Sequence, residues 1–171
     1  MKTLIVFSSK TGNTEKVARA VHEAIPTAEL YPVESAPTVG AYDLVFFGFW
    51  VNRGTADESA RAYVAGMPEK PVALFATLGA YPDSDHARTS LDNAAALIPS
   101  CRIAGRFICH GAVDPALQER LRAFPADHSH AVDEARLKRW ADASTHPDEA
   151  DLRNAREWAL RVIEELDARS G

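Results

Sequence analysis

Apolar runs of strand length alternate along this chain with segments whose apolar residues recur at helical period, and that alternation leaves few ways to fold. Thr3–Phe7 and Val72–Thr77 read as buried strands, and Leu44-Val45-Phe46-Phe47-Gly48-Phe49 is apolar without a break. Such a run suits a central strand of a parallel sheet, because helices cover both of its faces. Strand one spans residues 2–7, a short second strand lies near Ala28–Tyr31, and the fifth is Arg102–Cys109. Between them, Val17, Ala20, Val21, Ala24 and Ile25 share a helix face until Pro26 stops it. A second helix is expected from about Ala56 to Ala65, and a third holds Ala87, Leu91, Ala94 and Ile98 in register. The implied class is α/β: a doubly wound, five-stranded parallel sheet with helices on both faces. A length of 171 residues, 46% apolar, suits one domain spanning residues 1–171.

A net charge of -5 disfavours nucleic acid, whose backbone asks for basic patches, and favours basic partners. No apolar run approaches a membrane span and the amino terminus lacks a signal-peptide pattern, so a cytoplasmic location is expected. Cys101 and Cys109 flank one extended strand, too far apart along it to pair, and are expected as free thiols. Of the histidines, His128 and His130 lie near Pro125, with His110 and His146 elsewhere. Histidines scattered over loops in this way usually bind nothing, so no metal site is expected.

Strand one runs directly into Ser8-Ser9-Lys10-Thr11-Gly12-Asn13-Thr14 and then into a helix. Hydroxyls, an amide, one cation and a glycine at a helix start suit a single terminal phosphate held by neutral donors. The alternative is a simple helix N-cap, which needs only one such residue. The spacing is neither that of a triphosphate-binding loop nor Gly-x-Gly-x-x-Gly. Acidic residues at the end of strand one, as in a receiver domain, and the Cys-x5-Arg loop of a phosphatase are both missing.

Ligands of doubly wound sheets sit outside the carboxyl ends of the strands, where the strand order reverses. Two more segments leave carboxyl ends there, Phe49-Trp50-Val51-Asn52-Arg53-Gly54-Thr55 and Thr77-Leu78-Gly79-Ala80-Tyr81-Pro82-Asp83-Ser84-Asp85. Trp50 and Tyr81 suit the two sides of a flat ring, with ordinary loop anchoring as the alternative for each. A phosphate cradle beside a planar slot describes a mononucleotide with an extended tail, and a flavin fits better than a base.

The segment Ser9-Lys10-Thr11-Gly12-Asn13-Thr14 after strand one resembles the FMN phosphate loop of the flavodoxin family. The likeness covers residues 1 to about 113 and resumes at His146-Pro147-Asp148-Glu149-Ala150-Asp151. Gly48-Phe49-Trp50-Val51-Asn52-Arg53-Gly54-Thr55-Ala56-Asp57 and Thr77 through His86 are similar to short flavodoxin-like proteins, some associated with anaerobic bilirubin reduction. The resemblance implies a flavodoxin-like sheet in the order 2-1-3-4-5 and FMN as cofactor. It implies that Ser9, Lys10, Thr11, Gly12, Asn13 and Thr14 bind the phosphate, with Ser8 beside them in the candidate set. Phe49, Trp50, Val51, Asn52 and Gly54 would line one side of the ring, and Thr77, Leu78, Gly79, Ala80 and Tyr81 the other. Asp85 and His86 complete the candidate set, with His86 able to modulate flavin protonation. Arg53 reads as a solvated cation or an ion-pair partner of Asp57.

The implied function is electron transfer, with FMN supplying the redox chemistry and no catalytic side chain required. The partners are then donor and acceptor reductases, with bilirubin reduction a candidate reaction. The alternative is an FMN-dependent NAD(P)H oxidoreductase acting directly on a small substrate; a ligand-free interaction module comes third. Asp57, Asp83 and Asp85 near the ring would lower its potential by like-charge repulsion. Gly54 and Gly79 are candidates for a redox-coupled peptide reorientation. The departure from typical flavodoxins is the extra segment 114–146 before the last helix. There Leu117, Leu121 and Phe124, then Leu137 and Trp140, suggest two short helices that serve as core packing, a flavin lid or a docking surface.

Overall fold

Successive side chains on a strand point to opposite faces, so an apolar strand feeds two cores at once. The computed structural model, which describes residues 1–125, 127, 128 and 130–170, shows this division. Leu4, Val6, Val45, Phe47, Phe49, Val72 and Leu74 belong to one apolar cluster. Ile5, Phe7, Leu44, Phe46, Ala73 and Phe75 belong to the other. The strands are β1 (Thr3–Phe7), β2 (Glu29–Pro32), β3 (Leu44–Asn52), β4 (Thr55–Ala56), β5 (Pro71–Leu78) and β6 (Arg102–His110). The helices are α1 (Asn13–Ala24), α2 (Glu58–Val64), α3 (Asp85–Ala95), α4 (Pro115–Arg122), α5 (Glu134–Ala143) and α6 (Glu149–Ser170).

The parallel strands lie in the order β2-β1-β3-β5-β6, the predicted arrangement once the short extra β4 is set aside. The first cluster is closed by Ala60 and Val64 of α2 and by Leu91 and Ala94 of α3. The second is closed by Val17, Ala18 and Val21 of α1 and by Ala155, Trp158, Ala159 and Val162 of α6. Two glycines permit close approaches in this packing. A Cβ at Gly48 would lie 2.1 Å from the Phe75 ring, and one at Gly105 would lie 2.6 Å from Val162.

The segment expected to leave β3 as a loop instead extends the strand to Asn52, turns through Arg53 and Gly54, and returns antiparallel as β4. Both turn residues have positive φ, 51° and 77°, the geometry that a two-residue hairpin favours. Helix α2 starts at Glu58, later than expected, because the Asp57 side chain caps it by accepting from the Ala60 amide. Segment 114–146, part of which (126 and 129) lies outside the described residues, does hold two short helices. Phe124 falls beyond α4 and is exposed rather than continuing its apolar face. Among the described residues, no helix is long and apolar enough to cross a membrane.

Candidate functional site

Parallel pairing brings the carboxyl ends of β1, β3 and β5 side by side, with Phe7 opposite Gly48 and Trp50 opposite Thr77. The backbone leaves β1 through Gly12, whose φ of 91° suits glycine. The Ser9 hydroxyl accepts from the amides of Gly12 and Glu15, at 3.1 and 3.3 Å, and so holds the turn. The amides of Lys10, Thr11, Asn13 and Thr14 have no acceptor among the described residues. Four free donors gathered at the start of a helix suit an anion, as does the helix dipole.

Several loop side chains have structural partners. Asn13 donates to the Ala112 carbonyl (2.9 Å) and packs so tightly on Gly111 that a Cβ there would lie 2.9 Å from its Nδ2. Thr14 of α1 and Thr77 of β5 join their buried hydroxyls at 2.9 Å. Ser8 donates to Asp57 Oδ1 (2.7 Å), leaving Asp57 Oδ2 buried without a partner in the described structure. That free acceptor borders a depression shared by Ser8, Ser9, Trp50 and Asn52.

A cavity of about 300 Å³ opens beside the loop. Ser9, Lys10, Thr11, Asn13 and Thr14 form one wall, and Trp50, Val51 and Thr77 through Ala80 form the next. The remaining wall lies outside the sequence-derived set: Gly111 to Asp114, Leu117 and Leu121 of α4, and Arg136, Arg139 and Trp140 of α5. Leu117, Leu121 and Trp140 carried the helical spacing that predicted these helices. The two arginines carried no signal, since an arginine on a polar helix face usually meets only water. Helices α4 and α5 are tied together by Arg122, whose guanidinium lies 5.3 Å from the Trp140 ring.

Other predicted site residues lie outside this cavity. Phe49 is fully buried in the core, and Tyr81 faces α5, donating to Asp142 at 2.7 Å. That bond, followed by burial, raises the Tyr81 pKa. Asp85 and His86 are exposed at the start of α3, with His86 beside the Gly54 turn. The acidic surround expected for the ring is not what lines the cavity. Asp57 is engaged as a cap, Asp83 and Asp85 are exposed, and the charged lining is Lys10, Arg136 and Arg139 against Asp114, a formal +2. Lys10 pairs with Asp114 at 3.0 Å, which holds that carboxyl below its usual range, helped by the Ala116 amide.

Four of the six histidines form two separate pairs. The His128 and His130 rings are 5.5 Å apart, with His128 stacked on Phe124, and the His110 and His146 rings are 5.3 Å apart. Burial, then His146, pushes the His110 pKa down. Two carboxylates join a histidine: ligand atoms of His146, Asp148 and Asp151 lie within 4.8 Å of one another. Their hydrogen bonds are those of a helix start, because the Asp148 amide donates to Asp151, the Asp151 amide donates to Asp148, and His146 Nδ1 is 2.5 Å from Asp151. Cys101 and Cys109 are free, and burial raises the Cys109 pKa.

Residues 4–159 match the family described as Flavodoxin domain. This chain belongs to the flavodoxin family. The flavodoxin-like domain-containing protein BilS of Clostridioides difficile (strain CD3) is 30% identical over 95% of this chain and 97% of its own length. Among solved structures, oxidised flavodoxin 2 from Bacillus cereus shares the fold of this flavodoxin, with a TM-score of 0.60, 16% identity and coverage of 96% and 99% of the two chains. A flavoprotein from Lactobacillus acidophilus NCFM, solved in complex with FMN, aligns with a TM-score of 0.51 and 16% identity over 63% of this chain and 92% of its own.

Proposed function

We propose that this flavodoxin is an FMN-dependent electron carrier that takes electrons from a donor reductase and delivers them to a partner reductase, with bilirubin reduction as the reaction served. The observation that carries the reading is the set of free amides at Lys10, Thr11, Asn13 and Thr14, which open into the same cavity as Trp50 and Leu78–Ala80. These donors suit the terminal phosphate, and the apolar and aromatic wall suits a planar ring. FMN supplies the redox chemistry when bound, and the protein positions it and sets its surroundings. In this assignment Ser9 to Thr14 hold the phosphate, with Gly12 making the turn and Ser8 bracing the loop through Asp57. The hairpin from Trp50 to Gly54 borders the ring on one side and Thr77 to Ala80 on the other. Tyr81, Asp85 and His86 stand at the rim. The partner and its reaction rest on the likeness of residues 48–57 and 77–86 to short flavodoxin-like proteins of bilirubin reduction.

The test has two stages. Incubation with FMN followed by desalting should leave a protein with flavin absorption bands. Stopped-flow mixing of that protein with NADH or NADPH should leave the bands intact until a donor reductase is added. Rapid bleaching without a helper would replace the carrier reading with a direct NAD(P)H oxidoreductase, and a chain that stays colourless would remove the flavin altogether.

A further inference from the structure

The phosphate loop and the ring walls leave one feature of the cavity unexplained, the charge brought in by α5. Lys10 is neutralised by Asp114, and Arg136 donates to the carbonyls of His130 (2.7 Å) and Ala131 (3.2 Å). Arg139 is half-buried in the cavity wall and makes no hydrogen bond or ion pair with any described residue. The next residue, Trp140, is only 8% exposed and anchors this stretch of α5. Asp142, three residues after Arg139 and so on the same side of α5, accepts from the Tyr81 hydroxyl at 2.7 Å, which sets Arg139 on the part of α5 joined to the segment that leaves β5. Lys10 instead stands on the phosphate loop. An unpaired cation in an apolar wall is ready to receive negative charge from a ligand, and its position assigns that charge to the ring rather than to the phosphate.

We propose that Arg139 is a charge partner of the reduced flavin ring, so that its charge favours reduced FMN over oxidised FMN and its removal weakens the reduced form selectively. The inference rests on the flavin reading above. Two electrons from an external donor and one proton from solvent add one negative charge to the ring, whereas the phosphate carries the same charge in both states. Partners of the phosphate therefore bind both redox forms alike, and only a group facing the ring discriminates between them. The sign is opposite to that expected from an acidic surround: the cation raises the potential.

The experiment compares the wild-type chain with Arg139→Gln and Arg139→Lys. Dissociation constants for oxidised FMN come from flavin fluorescence, and the two-electron midpoint comes from anaerobic titration with dithionite against a reference dye. Arg139→Gln should leave the affinity for oxidised FMN nearly unchanged and weaken that for reduced FMN about tenfold, which moves a two-electron midpoint negative by about 30 mV. Arg139→Lys, which keeps the charge, should recover most of that shift. Equal weakening of both forms, or an unchanged midpoint in Arg139→Gln, overturns the inference and leaves the flavin reading standing. A wild-type chain that binds neither form overturns both.

Discussion

Asp57 shows how one side chain ties the site to the scaffold. Its Oδ1 accepts from the Ser8 hydroxyl at the end of β1 and from the Ala60 amide at the start of α2, and both the carboxylate and the hydroxyl are buried. Asp57→Ala removes a helix cap, worth about 1 kcal/mol, and strands a buried hydroxyl, at about 1–3 kcal/mol. Urea denaturation should therefore show a loss of about 2–4 kcal/mol for Asp57→Ala and a smaller one for Asp57→Asn, which keeps an acceptor oxygen. Equal losses in the two variants would show that the charge, not the hydrogen bonds, does the holding. At this scale the sequence was legible only in part. Ser8 and Asn13 stood out as polar residues at a strand-to-helix junction. Their partners, Asp57 and Ala112, lie 49 and 99 residues further along, and nothing local in the sequence announces such pairs.

Elements were more legible than contacts, because their signals are periodic. The alternation of strands with helices and the two short helices of segment 114–146 follow from unbroken apolar runs and from apolar residues spaced near 3.6, whereas the strand order was legible only through the family resemblance. The β3–β4 hairpin was missed because Arg53 gives no turn signal at a position of positive φ, which leaves Gly54 as the single marker. Helix α6 tests whether packing on the sheet, rather than helix propensity, stabilises an element. Its Trp158 meets the rings of Phe46, Phe75 and Phe107 at 5.5, 6.5 and 5.6 Å, and lies close to Gly105, where a side chain would obstruct it. Trp158→Ala should cost about 3–5 kcal/mol in thermal or urea unfolding, as large-to-small changes of buried aromatics do. Leu160→Ala, on the same helix but 45% exposed, should stay within about 0.5 kcal/mol of wild type. A Trp158→Ala loss no larger than that of Leu160→Ala would mean that α6 is held elsewhere.

Over the whole molecule, charge is divided between surface and cavity. The chain carries a net -5, while the cavity lining carries a formal +2, so the rest of the protein is more acidic than its total. The two regions act over different ranges. Cations inside the cavity act on a bound ligand at contact distance, whereas the surface charge governs encounters through solvent and is screened within about 30 Å at 0.01 M salt and about 8 Å at 0.15 M. An electron carrier with this division attracts basic partners at long range while holding an anionic cofactor. With FMN loaded and chemically reduced, the second-order rate of electron transfer to a basic acceptor such as cytochrome c should fall as salt rises between those two ionic strengths. The rate to ferricyanide, an anionic acceptor, should rise over the same interval, because screening removes repulsion instead of attraction. Stopped-flow measurement of both acceptors separates this from a general effect of salt on the protein, which would move the two rates in the same direction. A rate to cytochrome c that rises with salt while the rate to ferricyanide falls would mean that the cavity cations, rather than the acidic surface, dominate the field that an approaching partner meets.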